Sequence, residues 1–225
     1  MIADDEVHLH LLEVPESGFE DRMPHLMPHL TEEEVAAAHR FMFERHRLLY
    51  AASHAFLRVT LSRYLGIAPR AIEMERDEHG KPELRDRALR FNLSHTLGAA
   101  LVGVTATADV GVDVERTDRR ADRDALAQRV FTAGERAAGP RDAEGFFDRW
   151  TLKESYIKAR GLGLTLDLQT FGFDLGDAPR MRCERDVDDP AAWQFHSFAP
   201  TAAHRAAAAV RIATPIHWLW MGSDL

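Results

Sequence analysis

The chain has 225 residues, 45% of them hydrophobic and 28% charged, with a formal net charge of −8. That length is a soft prior of one to two domains and can bury a sizeable core, which argues against collagen-like, disordered and disulfide-stapled classes. Net acidity argues against a generally nucleic-acid-binding surface, and the single cysteine, Cys183, permits neither an intrachain disulfide nor a Cys/His zinc spacing. The acidic start lacks the basic and apolar regions of a secretion signal. The longest nearly apolar run, Leu97 to Val104, is far below the ~20 residues a membrane helix needs. The expectation is a soluble, cytoplasmic protein with no membrane or nucleic-acid partner.

In chain order, residues 7–14 (VHLHLLEV) read as a first strand, with His8 and His10 on an exposed face rather than paired on a metal. The tandem Met23-Pro24-His25-Leu26 and Met27-Pro28-His29-Leu30 reads as a loop because of its two prolines. Thr31-Glu32-Glu33-Glu34 is a capping-box pattern opening a long helical stretch to about Leu65, stopped by Gly66. Its apolar stripe is Leu49, Ala52, Phe56 and Val59, and Arg40, Arg45 and Arg47 lie near its first half. Residues 70–76 predict a short strand, His79-Gly80-Lys81-Pro82 a turn, and 89–115 a run of strand, Ser94-His95 corner, strand, turn and strand. Asp124 to Val130 predicts a helix, Thr132 to Glu135 a second capping box, and Gly145 to Arg160 a third helix ending at Gly161. Weakly alternating segments follow at 171–173, 192–198 and 206–212. The last two echo the Ser94-His95 and Ala99–Val104 pattern, suggesting two similar halves joined near 106–110.

Two segments put charge where an apolar face is expected. In 110–115, Val110, Val112 and Val114 take one face of the strand, and Gly111, Asp113 and Glu115 take the other. The two carboxylates lie about 7 Å apart along the strand, so they can converge on one cation, and Gly111 leaves that face open for a bulky ligand. A sheet with one wet face is the plain alternative. In the helix, Phe147, Trp150 and Ile157 form one stripe with Glu154 in its middle, where an unpaired carboxylate would cost several kcal/mol. An intrahelical Glu154–Lys158 pair is the alternative there. Asp113, Glu115 and Glu154 make an all-oxygen donor set that suits magnesium, and magnesium on carboxylates commonly completes its shell with water and phosphate. Lys153, Lys158, Arg47, Lys81 and His95 are candidates to hold further phosphate oxygens.

Gly111-Val112-Asp113-Val114-Glu115 and Trp150-Thr151-Leu152-Lys153-Glu154-Ser155-Tyr156-Ile157-Lys158-Ala159 resemble the paired signatures of the 4'-phosphopantetheinyl transferases, the surfactin-synthetase-activating type above all. Gly80-Lys81-Pro82, Phe91-Asn92-Leu93-Ser94-His95 and Gly161-Leu162-Gly163-Leu164 match in order, and the resemblance covers about residues 31 to 175. It implies an α/β (α+β) fold of two similar subdomains in pseudo-two-fold arrangement, 1–108 and 109–225, with the active site between them. It implies that coenzyme A, as substrate, donates its phosphopantetheine arm to a serine of an apo acyl or peptidyl carrier protein. The leaving group is adenosine 3',5'-bisphosphate. By the same resemblance Asp113, Glu115 and Glu154 are the ligands of Mg2+, or of Mn2+ in its place. Ser94 and His95 meet the 3'-phosphate, Lys81 and Pro82 line the nucleotide pocket, and Lys153 and Lys158 lie near the pyrophosphate. Arg47 is the helix contact to coenzyme A, with Arg40 and Arg45 as rivals, and Glu154 is the candidate base. Carrier domains are commonly acidic, so docking needs an apolar or basic patch, for which the segment Arg119 to Arg136 with Arg120, Arg123 and Arg129 is a candidate. The duplicated halves make a monomer sufficient. A coenzyme A-binding regulator and a magnesium-dependent nucleotide phosphohydrolase are the alternatives.

Overall fold

The computed structural model describes residues 2–118, 122–138, 142–163, 166–176, 178–183 and 188–222. Its elements in chain order are β1 (Glu6–Glu13), α1 (Phe19–Leu26), α2 (Glu32–His39), α3 (Glu44–Leu65), β2 (Met74–Arg76), β3 (Pro82–Leu84), β4 (Arg90–Thr96), β5 (Ala99–Thr105) and β6 (Val110–Arg116). Then come α4 (Arg123–Val130), α5 (Ala133–Ala138), α6 (Ala143–Arg160), β7 (Phe171–Asp174), β8 (Arg180–Cys183), β9 (Trp193–Phe198), β10 (His204–Arg211) and β11 (His217–Met221). Helices and sheets are mixed, an α+β protein. No helix among the described residues is long and apolar enough to cross a membrane.

Two sheets form the centre, with strand orders β11-β1-β5-β4 and β6-β10-β9. The same plan is used twice: a hairpin (β4–β5, then β9–β10) adds to an earlier strand (β1, then β6), with the hairpin's second strand in the middle. Each unit carries one long helix, α3 on the first and α6 on the second. The boundary expected at 108/109 lies in the turn between β5 and β6, but β11 crosses back to pair parallel with β1. Rings of β9 and β11 meet there, His196 on Trp218 and Phe198 on Trp220.

The apolar patterning explains these layers. The valine face of β6 is fully buried with Leu9, Leu101 and Ala208 in a core between the sheets. Leu49, Ala52 and Phe56 of the α3 stripe pack into a second core with Phe19, Leu30 and Val102, while Val59 stays half-buried outside it. Both capping boxes form: Thr31 Oγ1 accepts from Glu34 N while Glu34 accepts from Thr31 N, and Thr132 and Glu135 repeat the exchange. Gly66 and Gly161 end α3 and α6 in the left-handed region (φ 67° in both), which glycine enters without penalty.

Four sequence expectations are corrected. The segment 23–30 is not a loop: it ends α1 and continues as a 3₁₀ turn, because Phe19, Met23 and Leu26 bury one helical face while Pro24 stays on the exposed side. The stretch 31–65 is two helices. It breaks at 40–43, where the Arg47 guanidinium donates to the carbonyls of Phe41 and Met42 (2.8 and 3.2 Å) and Phe43 turns extended. Residues 70–76 hold a 3₁₀ turn and only a three-residue strand. His8 and His10 do not lie on an exposed face. Both are buried and meet the Tyr64 hydroxyl at 2.7 and 2.8 Å.

Candidate active site

The site lies where β4 runs beside β6 under α6. The two strands are joined by side chains: Val112 N donates to Asn92 Oδ1 (2.9 Å) and Val114 N donates to Ser94 Oγ (3.3 Å). Ser94 therefore sits within β4 rather than at a corner, the turn coming at 97–98. This register aims Asp113 at α6, one residue between the two bridged amides.

Gly111 is the reason α6 comes close. A Cβ there would stand 2.1 Å from Ser155 O and 2.3 Å from Ala159 N, both helix backbone. The open face predicted at Gly111 is thus filled by α6 and not by a ligand. The close approach brings the Lys158 ammonium onto Asp113 Oδ1 (2.6 Å) and Ser94 Oγ (2.9 Å). Ser94 in turn donates to Asp113 Oδ1 at 2.9 Å, so its hydroxyl is used as donor once and as acceptor twice. Lys158 is therefore paired with Asp113 across the fold rather than within its own helix.

The other carboxylates behave differently. Glu154 is pushed up to about 7, first by burial and then by the charges of Asp113 and Glu115, against the pull of Lys158. Glu115 accepts from the Trp150 indole N–H at 3.2 Å. Asp113 Oδ2 is buried and has no hydrogen-bond partner. As they stand, no three His, Cys, Asp or Glu side chains among the described residues close on one point to hold a metal. The tight convergence predicted for Asp113, Glu115 and Glu154 is thus not seen, since the ammonium of Lys158 occupies Asp113 Oδ1. The donor chemistry still suits a hard divalent ion. The charges of Asp113 and Glu115 raise the proton affinity of Glu154, and one buried oxygen of Asp113 is left unpaired.

Two cavities flank this group. One of about 300 Å3 is lined by Gly80, Lys81, Pro82, Asn92, Glu154, Lys158 and Gly163 among others. The second, of about 600 Å3, has His95, Leu49, Tyr50, His46 and Phe41 on its walls. His95 is exposed to it yet flanked closely by protein. That desolvation, with His54 and Lys158 nearby, brings its pKa down to about 4, so the ring is neutral near pH 7.

The remaining predicted residues fall in three places. Lys81 and Pro82 line the smaller cavity, but the Lys81 ammonium donates to Val110 O (3.3 Å) and Ala159 O (3.1 Å), tying β6 to α6. Arg47 clasps the 40–43 loop and lines neither cavity. Lys153, expected near the pyrophosphate, is corrected: it is wholly buried on the other side of α6. It pairs with Glu135 at 2.9 Å and donates to Leu168 O at 2.8 Å and to Phe171 O. Of the proposed docking arginines, Arg123 is half-buried and Arg129 exposed on α4, while Arg119 and Arg120 lie outside the described residues. Sequence reasoning missed Asn92 as a site residue. A polar residue two before Ser94 in a strand pattern shares its face, and that was the available signal.

Residues 109–211 match the family described as the 4'-phosphopantetheinyl transferase superfamily, and residues 19–107 match "4'-phosphopantetheinyl transferase, N-terminal". The 4'-phosphopantetheinyl transferase HetI of Nostoc sp. is 37% identical over 174 residues, covering 72% of each chain. A 4'-phosphopantetheinyl transferase of Bacillus subtilis is 30% identical over 169 residues, also 72% of each. The holo-[acyl-carrier-protein] synthase of Thermotoga maritima aligns at TM-score 0.41 with 21% identity, over 48% of this chain and 66% of that one, too partial a likeness to carry an argument.

Proposed function

The chain belongs to the 4'-phosphopantetheinyl transferase superfamily, and we infer from that membership and from the Ser94–Asp113–Lys158 cluster how it works. It is a transferase that moves the 4'-phosphopantetheine arm of coenzyme A to a serine hydroxyl of an apo carrier protein. The serine oxygen bonds to the β-phosphorus, and the bond from that phosphorus to the oxygen bridging to the α-phosphate breaks. The leaving group is adenosine 3',5'-bisphosphate.

The observation that carries the residue roles is the ammonium of Lys158, fixed by two partners at the edge of a cavity that Glu154 also lines. A positioned cation beside a diphosphate stabilises the charge that develops on the phosphoryl and bridging oxygens, commonly the largest catalytic term. Its two partners hold it in place before substrate arrives. The serine proton needs an acceptor, and Glu154, a half-buried carboxylate on the wall of the cavity that Lys158 also lines, is placed to take it. Lys81 and Pro82 line the nucleotide end, and Lys81 keeps the floor closed by bridging β6 and α6. His95 belongs to the 3'-phosphate end, whereas the Ser94 hydroxyl is spent on Asp113, Val114 and Lys158. A neutral His95 offers one ring N–H, and a phosphate dianion beside it favours uptake of a second proton.

A magnesium ion would be held by Asp113, through its unpartnered Oδ2, with Glu115 and Glu154. When bound it supplies charge neutralisation to the diphosphate. Manganese has the same preference for oxygen donors. The protein acts as a monomer in the cytoplasm, where its coenzyme A is found, and no nucleic acid takes part.

The test is direct: incubate the protein with magnesium, coenzyme A and a panel of apo carrier proteins, and weigh the carriers by mass spectrometry. Each competent carrier gains one phosphopantetheine, and adenosine 3',5'-bisphosphate appears only when carrier is present. Release of nucleotide without carrier would mean a phosphohydrolase, and coenzyme A binding with no transfer would mean a regulator.

A further inference from the structure

The carrier must bring its serine to the diphosphate beside Lys158, and the surface bordering the larger, neighbouring cavity at His95 is unusual. Between α2 and α3 the chain exposes Phe41, Met42 and Phe43 in succession, Met42 with 75% of its surface in solvent. Single exposed apolar residues are ordinary, but three in a row on one loop form a patch. Around them stand Arg40, Arg45 and Arg47, three arginines against one glutamate in a chain whose net charge is −8. That glutamate, Glu44, accepts from the amides of Gly18 and Phe19 (2.8 and 2.9 Å) and keeps its charge, so three arginines less one glutamate leave the segment at +2.

The loop is held, not loose. Arg47 clasps the Phe41 and Met42 carbonyls, and the Arg45 guanidinium lies 5.1 Å from the centre of the Phe43 ring. It is also tied to the site. Rings run inward from Phe41 to Tyr50 (5.4 Å between centres), Tyr50 to His54 (4.0 Å, stacked) and His54 to His95 (6.4 Å). Phe41 itself lines the cavity that His95 borders. The other exposed apolar pair, Trp220 and Met221 on β11, lines neither cavity.

We propose that residues 40–47 are the docking surface for the carrier protein, with Met42 and Phe43 as apolar anchors and Arg40 and Arg45 facing acidic side chains next to the acceptor serine. This rests on the transferase reading above. It replaces the Arg123/Arg129 face of α4, which carries no comparable apolar anchor. An acidic surface with one protruding apolar side chain is the complement of such a patch, and opposite charge also speeds encounter.

The experiment uses Met42→Glu and Phe43→Ser, assayed with an acidic apo acyl carrier protein at saturating coenzyme A, with circular dichroism confirming the fold. Each variant should raise KM for the carrier at least tenfold and leave KM and Kd for coenzyme A within twofold. Rising salt should weaken carrier use by wild type. An unchanged carrier KM overturns the proposal. So does an equal loss of coenzyme A affinity, which would make the loop part of the nucleotide site. So does a tenfold rise in carrier KM produced by Arg123→Glu/Arg129→Glu and not by Met42→Glu. Calorimetric binding of the carrier to wild type and Met42→Glu separates the two claims. Binding that Met42→Glu abolishes, with no transfer by wild type, would keep the surface and refute the activity.

Discussion

Replacing Gly111 by alanine adds one methyl group at the point where α6 touches β6. The new carbon would sit 2.1 Å from Ser155 O, 2.3 Å from Ala159 N and 2.9 Å from Ala159 Cα, all of them main-chain atoms that no rotamer change can move. Restoring ordinary contact needs a retreat of α6 on the order of 1 Å. Lys158 leaves the helix one residue before Ala159, so that retreat stretches its 2.6 Å contact with Asp113 beyond hydrogen-bond range. Overpacking costs about 1–3 kcal/mol and a lost bond between charged groups about 1.5–3, together about 3–6 kcal/mol. For a chain of this size that lowers the melting temperature by ~6–24 °C. The displaced ammonium should lower kcat about 100-fold in the protein that remains folded. Gly134→Ala is the matched control. Its Cβ would meet only Thr132 Oγ1, at 3.7 Å, within a helix where alanine is favoured, so it should be neutral or stabilising by about 0.5–1 kcal/mol. Differential scanning calorimetry and steady-state transfer assays read both effects. A Gly111→Ala protein that melts and turns over like wild type would refute the claim that this contact places Lys158.

Lys153→Met leaves Glu135 buried without its cation, a change worth about 3–5 kcal/mol, so melting should fall by ~6–20 °C while kcat at 20 °C stays within about threefold. A collapse of kcat without a change in melting would put Lys153 back beside the pyrophosphate. His10 gives a pH dependence. Burial first, then His8 and Arg63, bring its pKa down from 6.5 to about 4. The unfolded chain therefore binds the proton more readily, and this stability is present above pH 6.5 and is lost as pH falls towards 4, about 3 kcal/mol in all. Urea titrations at pH 7.5, 6, 5 and 4.5 should show the decline, and an NMR titration of His10 with a midpoint near 6.5 would contradict it.

Local chemistry made much of this legible in the sequence. The valine face of β6, the two capping boxes and the glycine stops of α3 and α6 are each set by neighbours in sequence, and each formed. Glu154 stood out because it interrupts an apolar stripe, and burial does raise its proton affinity. What could not be read depends on partners far along the chain. Lys153 and Lys158 look alike on a helical wheel's edge, yet one meets Glu135 inside the protein and the other meets Asp113 at the cavity. Gly111 reads equally as room for a ligand or room for a helix, and only the position of α6 decides. Pro24 argued for a loop locally, but three buried anchors outweighed it. The parallel pairing of β11 with β1 joins the two ends of the chain, and no local pattern announces it.

Glu154→Gln tests the account at its centre, because it keeps the shape and removes both the proposed proton acceptor and a carboxylate oxygen. Rapid-quench transfer to a saturating apo carrier, run beside calorimetric binding of coenzyme A, gives rate and affinity separately. The account predicts a rate lower by about 10²–10⁴, the usual range for a lost general base, with coenzyme A still bound. Transfer at near wild-type rate by Glu154→Gln would contradict it.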